Sequence, residues 1–575
     1  MPWSAVQDFD RHGIPGNRLS CPGVLTDVTD TSSEPSVKRR AFLGAAAGGV
    51  AAVAIPGVAQ AAVPRPRGPI RSRPRPIGAP SSGPTPADWT ALGHDLQGSL
   101  VRPGDRSYTV DSYLFDPRFD GIHPAGIAYV DNAHDLGTCL AFVRRFGIKF
   151  AARSGGHSYA GYSSSTGLII DVENLKGVQV SGTTANVGAG TRLIDFYSEL
   201  AAKGRAIPGG SCPTVGIAGL VLGGGVGVVG RADGLTSDKL ASLNIVTANG
   251  QALTASPSSH SDLYWACRGG GGGNFGIATW FQFNTVPAPS PVLFFLSWPW
   301  SKAAKVIAAW QSWAPNAPDA LWSNLHLAAA PGGHTPTIQV GGCYLGSITG
   351  AHNLIEQLYA KVGSNATGYN LNVYSYLNAM LLEAGCSSIG LQGCHLPWYA
   401  SGGKLNRQPQ FAKSAYFSRP LSTAGIATLL RGVTALQSVR GAAGGVGGVA
   451  FDAMGGAINR VSPTATAFVH RNALFGAQYT TDWNNGAAAA GINNQHAWLR
   501  SFWSSMQPYA NGQAYQNYID PDLTNWSAAY YAQNYPRLQT VKRTYDPTRL
   551  FNFPQAIVPA AAPAPAPAPA VPVTG

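Results

Sequence analysis

Charge is scarce in this chain of 575 residues: Asp, Glu, Lys and Arg together make up 12%, about half the usual share near 25%. Long unbroken apolar runs are also missing. Every run with the length to span a bilayer is interrupted by Gly or Pro, which excludes a polytopic membrane protein. No HExxH, GxSxG or CxxC pattern occurs, so metalloprotease, serine hydrolase and thioredoxin chemistry lack their usual warrants. Zinc-finger spacings and RNP-like strings are absent as well. What is abundant is apolar: hydrophobic residues make up 45%, with 21 Phe, 22 Tyr and 14 Trp, enough to bury large cores and incompatible with a disordered chain. The 70 Gly and 42 Pro push toward loops, turns and strands. One core sustains roughly 250–300 residues, so the length predicts two folded domains.

The net charge of +12 does not describe a nucleic-acid surface. Residues 1–61 carry as many acidic as basic residues, and Arg65, Arg67, Arg71, Arg73 and Arg75 put five of the surplus charges into one Pro-rich stretch. The other seven are spread over the rest of the chain and form no basic stripe, so no nucleic-acid partner is expected. Residues 37–61 place Arg39 and Arg40 ahead of a Gly- and Ala-rich, weakly apolar stretch that ends in Ala59-Gln60-Ala61. This is the layout of a cleaved signal of the twin-arginine (Tat) type. A membrane anchor fits less well, because Gly44, Gly48, Gly49 and Pro56 interrupt the stretch. The expectation is a secreted protein, handed to the Tat export machinery already folded around a cofactor. Residues 62–94 then read as a Pro/Arg-rich linker and residues 558–575 as a semi-rigid Ala/Pro tail, both outside the fold.

Seven cysteines fit an oxidising compartment. Cys21 lies ahead of the signal, Cys386 and Cys394 in CSSIGLQGC are candidates for a local disulfide, and Cys139, Cys267 and Cys343 sit among apolar residues as buried thiols do. That leaves Cys212, in a glycine-rich segment. Leu136, Cys139, Leu140 and Val143 fall on one helical face, and Gly147 ends that helix. A strand IKFAA then runs into Arg153-Ser154-Gly155-Gly156-His157-Ser158-Tyr159, where exposed backbone N–H groups suit a phosphate or pyrophosphate, although an ordinary tight turn reads the same way. GLIIDV and NVGAG read as further strands, and Leu193, Phe196, Tyr197 and Leu200 mark a second amphipathic helix. Gly225, Gly227 and Gly230 spell G-x-G-x-x-G without the strand, helix and acid of a dinucleotide fold; glycines that merely let backbones pack closely are the better account of them.

Together, RSGGHSY, GGSCPTVGIAGLVLGGGVG, DLYWACRGGGGGNFGI and NYPRLQTVKRTYDPTRLFNFPQAI resemble the berberine-bridge-enzyme-like FAD-linked oxidases, within the vanillyl-alcohol-oxidase flavoprotein fold. The resemblance runs from about Asp95 to Ile557, and the twin arginines make the chain look like the exported bacterial branch. It implies an α+β fold: an FAD-binding domain in two parts, residues 95–287 and 509–557, around an inserted substrate domain of residues 288–508 built on an antiparallel sheet. It also implies FAD attached twice, His157 matching the histidine that bonds the flavin's 8α carbon and Cys212 the cysteine that bonds C6. Arg153, Ser154, Gly155 and Gly156 would hold the pyrophosphate, with Gly219, Gly223, Gly224, Gly227, Asn274 and Gly276 as further cofactor contacts. Val215 stands where a small valine leaves dioxygen a path to the reduced flavin, which favours an oxidase making hydrogen peroxide over a dehydrogenase.

In AYQNYIDPDL, Tyr518 matches the family's catalytic tyrosine, a base only if positive charge or hydrogen bonds stabilise its phenolate. Tyr416 and Gln478 are substrate-contact candidates. Plant members carry a glutamate in a GGxMxEI-like segment; the matching GGAINRV has Asn459 and Arg460, which argues against their reactions. The implied activity is hydride removal from an alcohol carbon of a sugar or glycosylated metabolite, with dioxygen as the second substrate and no metal. A dehydrogenase with another acceptor is the nearest alternative, and an exported carbohydrate-binding protein without flavin a more distant one.

Overall fold

The β-branched and aromatic runs pair into four sheets in the computed structural model, which describes residues 83–562. A small mixed sheet orders Ser99–Val101, Gly126–Tyr129, Leu168–Asp171 and Phe150–Arg153, the last three parallel to one another. Parallel neighbours need a crossover, and helix Ala133–Phe146 supplies part of it. That helix buries Leu136, Cys139, Leu140 and Val143, the face predicted from spacing, and ends on Gly147 at φ 63°. Beside it, an antiparallel sheet orders Val178–Ser181, Thr184–Gly188, Ile277–Asn284, Leu240–Val246 and Ala252–Ala255.

The largest sheet is antiparallel throughout, in the order Gly368–Val373, Val292–Trp298, Thr337–Tyr344, Leu321–Ala329, Gly447–Ala453, Phe475–Asp482 and Gln410–Phe417. Side chains alternate faces along a strand, and here the alternation separates two chemistries. Leu325, Leu327, Phe451, Ala477 and Tyr479 enter an apolar core with helices Ala303–Trp313, Thr423–Ala435 and Ala489–Met506. The opposite face presents Asn324, His326, Asp452, Gln478 and Thr480, all buried. A mixed α/β architecture with an antiparallel sheet-rich region is what the sequence leads one to expect.

Two expected boundaries need correction. The linker does not extend to residue 94, because Pro86–Asp95 is a helix. Thr85 and Asp88 form a reciprocal capping box at its start, and Trp89 and Leu92 are buried; Trp89 packs on Phe142 at 4.8 Å. The tail is likewise still tied down at Ala560, whose N–H donates to Gln539 O at 2.9 Å and whose carbonyl accepts from Arg543 at 2.6 Å. The signal of residues 1–61, the first part of the linker and residues 563–575 lie outside the described residues. Cys386 and Cys394 are disulfide-bonded, and Cys139, Cys267 and Cys343 are buried thiols. Among the described residues no helix is long and apolar enough to cross a membrane. Gly225 and Gly227 lie between two short helices, Ile217–Leu222 and Gly230–Asp233, and Gly230 opens the second, so the strand that a dinucleotide fingerprint requires is not there.

Candidate active site

Strand Phe150–Arg153 delivers the chain to the glycine turn at the wall of a cleft of about 300 Å³. Gly155 is required by contact: a Cβ there would run into the backbone nitrogen of Gly216. Gly156 is required by conformation, at φ 69°. The turn is held from behind, where Ser154 Oγ donates to Ala189 O at 2.7 Å and Arg192 donates to Ser154 O at 2.7 Å. Arg153 turns its guanidinium onto the buried carboxylate of Asp171, yet its Nη1 is buried without a partner. An unsatisfied guanidinium nitrogen behind a glycine turn that lines the cleft fits a bound pyrophosphate.

His157 and Cys212 border this same cleft, with Val215 beside them. They are drawn together through Thr214, whose Oγ1 lies 2.8 Å from His157 Nε2. The Phe115 ring stacks on the imidazole at 4.1 Å between centroids. Burial, reinforced by Arg192, pushes the His157 pKa down to about 3, so the ring is neutral and one of its nitrogens carries a lone pair. Residues 213–215 are fixed because they cap a helix: the otherwise orphaned N–H groups of Ile194 and Leu193 donate to Pro213 O at 3.0 Å and Val215 O at 2.9 Å.

Tyr518 also faces the cleft, stacked on Tyr159 at 5.8 Å. The loop that carries it is held on both sides. Lys413 pairs with Asp520 at 2.9 Å and Asp522 at 3.0 Å, and Gln516 Nε2 donates to Gly223 O at 2.9 Å and Gly269 O at 2.6 Å. The condition that sequence reasoning set for a tyrosinate is not met by the protein's own side chains. Burial raises the Tyr518 pKa well above its usual 10, and Asp452, Tyr159, Tyr515 and Cys212 raise it further.

Sequence reasoning missed Asp452. Its carboxylate borders the cleft and shares with Tyr518 and Tyr416 a second cavity of about 20 Å³. Oδ1 is buried without a hydrogen bond, and burial lifts the pKa to about 6. The available signal was one carboxylate inside the apolar strand Gly447–Ala453, three residues before the Gly455-Gly456 pair.

The remaining candidates divide. Gly219, Gly227 and Gly276 border the cleft, whereas Gly223, Gly224 and Asn274 do not. Gly223 and Gly224 give room to Asn517 and the Phe468 ring. Asn274 braces its own loop, donating to Gly270 O at 3.0 Å and accepting from Ile557 N–H at 2.9 Å. Tyr416 is buried against His470 at 4.2 Å, and Gln478 donates to the Tyr159 hydroxyl at 2.9 Å, one step back from the cleft.

Comparison with known proteins agrees with this geometry. Residues 124–256 match the FAD binding domain family and residues 514–558 the berberine and berberine like family. The chain is 32% identical over 445 residues to the uncharacterized FAD-linked oxidoreductase YgaK of Bacillus subtilis, covering 76% of this chain and 92% of that one. Among solved structures, Physcomitrella patens BBE-like 1 is 30% identical with a TM-score of 0.73, covering 82% of this chain and 100% of the other. A grass pollen allergen with glucose dehydrogenase activity, Phl p 4, is 26% identical with a TM-score of 0.72, covering 83% and 100%. The chain thus belongs to the berberine-bridge-enzyme-like FAD-linked oxidoreductases of the vanillyl-alcohol-oxidase fold, enzymes that act on small organic substrates with FAD.

Proposed function

We propose that this enzyme is an exported oxidase that removes a hydride from an alcohol carbon of a sugar or glycosylated metabolite and forms hydrogen peroxide. The observation that carries the reading is the meeting of His157, Cys212, Tyr518 and Asp452 on one cleft. His157 and Cys212 would each bond the flavin, and the glycine turn with Arg153 would receive its pyrophosphate. Bound FAD would supply the two-electron acceptor, reoxidised by dioxygen. The flavin-binding parts of the chain would be residues 95–287 and 509–557, with the substrate portion, residues 288–508, between them.

The protein's own groups handle the proton. Tyr518 is a phenol at neutral pH, so it can take the substrate's hydroxyl proton only by giving up its own. Asp452, ionised above about pH 6 and lining the same two cavities as Tyr518, would be the acceptor. Proton loss from the hydroxyl makes hydride departure from the same carbon easier. Nothing bonded to the substrate need become a free phenolate, which the burial of Tyr518 would penalise. The polar face bearing Asn324, Gln478 and Thr480 suits a ligand rich in hydroxyl groups, and the low overall charge suits a neutral one.

A second reading, a dehydrogenase, is favoured by the glucose dehydrogenase activity of the pollen relative. Oxygen uptake set against dye reduction, in a peroxide screen of sugars and glycosylated aromatic metabolites, separates the two. Acid precipitation of the purified enzyme tests attachment: a yellow pellet and a colourless supernatant are expected, and flavin released in full would refute it. A Tyr518→Phe variant that keeps its flavin and full turnover would remove the proton-transfer assignment. Mature protein in the medium, lost on replacing Arg39 and Arg40 by Lys, is expected of Tat export.

A further inference from the structure

We propose that Thr214 is a positioning residue for flavin attachment, engaging His157 Nε2 so that Nδ1 is the nitrogen left to form the bond; the inference rests on the reading of His157 as a flavin ligand. The geometry is specific. Thr214 is 3% exposed, and its Oγ1 meets His157 Nε2 at 2.8 Å. The backbone that carries the hydroxyl is held, because the carbonyls on either side of it, Pro213 O and Val215 O, accept from the first turn of helix Leu193–Ala201 at 3.0 and 2.9 Å. The imidazole is held as well. Phe115 lies flat against it, 18° from parallel, and Phe115 N–H donates to Gly156 O at 3.1 Å.

Attachment replaces one C–H bond of the flavin's 8α methyl group with a C–N bond to imidazole. One hydrogen leaves the methyl group and one leaves the ring nitrogen, and dioxygen takes both with the two electrons to become hydrogen peroxide. The attacking nitrogen must carry a lone pair at the outset. A neutral imidazole has its proton on one nitrogen and its lone pair on the other. In the tautomer whose Nε2–H donates to Thr214 Oγ1, the lone pair sits on Nδ1. After bonding at Nδ1, Nε2 keeps only a lone pair, and the threonine hydroxyl can turn round and donate to it. A hydroxyl serves both stages because it both donates and accepts; a methyl group of the same size serves neither. Thr214 thus links the two attachment sites, lying two residues from Cys212 and bonded to His157.

The test uses the full-length holoenzyme in two backgrounds. In Cys212→Ala the only remaining link is through His157. Acid precipitation should leave the flavin in the pellet for Cys212→Ala, lose at least about tenfold of it for Cys212→Ala with Thr214→Val, and restore it with Thr214→Ser. In Thr214→Val alone, Cys212 still holds the flavin in place, so the mass of the His157 peptide reads the histidyl bond directly, whatever the stability of the double variant. A His157 peptide carrying flavin as completely as in the wild type would overturn the proposal. Full release of flavin from Cys212→Ala, with Thr214 intact, would instead refute the histidyl link itself and the proposal with it.

Discussion

Replacing Asp452 by Asn keeps the shape of the side chain and removes the only carboxylate that Tyr518 is proposed to use. The size of the effect follows from two quantities. Positioned proton acceptors contribute about 10²–10⁴-fold, so flavin reduction in Asp452→Asn should fall by at least about a hundredfold. Burial places the wild-type pKa at about 6, so the carboxylate is roughly nine-tenths ionised at pH 7 and about one-tenth ionised at pH 5. The acceptor is the ionised form, and reduction should therefore slow about tenfold from pH 7 to pH 5. Anaerobic stopped-flow bleaching of the flavin, with the best substrate from the peroxide screen, measures both effects without interference from reoxidation. The expected variant is slow and has lost the acidic limb near pH 6. A variant within about threefold of wild type, or one that keeps the limb, would refute the relay and return the proton to Tyr518 alone.

Three further outcomes test other parts of the structure. Lys542 is fully buried, pairs with Asp546 at 2.7 Å and donates to Asn274 O and Phe551 O at 2.6 and 2.8 Å. Lys542→Met should cost about 3–5 kcal/mol by stranding a buried carboxylate, read as a lower denaturant midpoint together with weaker flavin retention. Gly155→Ala should cost about 1–3 kcal/mol from overpacking against Gly216 and leave a largely colourless protein, while an unchanged flavin content would show that the turn can yield. His395 bonds Asp195 at 2.9 Å, and although burial opposes its charge, that hydrogen bond and the charge of Asp195 raise its pKa above 6.5. A raised pKa stabilises the fold fully below about pH 6.5 and stops doing so as pH rises through the folded value. His395→Gln should thus lower the denaturant midpoint more at pH 5.5 than at pH 8.5, and an equal loss at both would remove the ion pair as its cause.

The parts of the site legible in sequence are those held by short-range rules. The turn at Gly155-Gly156 follows a readable strand, the helix of Leu193, Phe196, Tyr197 and Leu200 announces itself by spacing, and His157 and Cys212 stand in distinctive local contexts. The motif singles out Tyr518 but not its charge state, because burial and the neighbourhood of Asp452 and Tyr159 are tertiary facts. The same limit hides that Gly223, Gly224 and Asn274 do not border the cleft. A glycine that admits a ligand and a glycine that admits Phe468 or Asn517 have the same appearance in a string. The helix Pro86–Asp95 was overlooked because the Pro- and Arg-rich composition upstream masked its capping signal at Thr85 and Asp88.

Composition and periodicity by themselves determined that this chain carries large apolar cores and a mixed α/β architecture, because these depend on residue type and near-neighbour geometry. Tertiary structure alone decided which carboxylate shares the tyrosine's cavity. Asp452 comes from the middle of the largest sheet and Tyr518 from a loop near the end of the fold. Strand register turns Asp452 to the polar face, and the grip of Lys413 on Asp520 brings the loop against it.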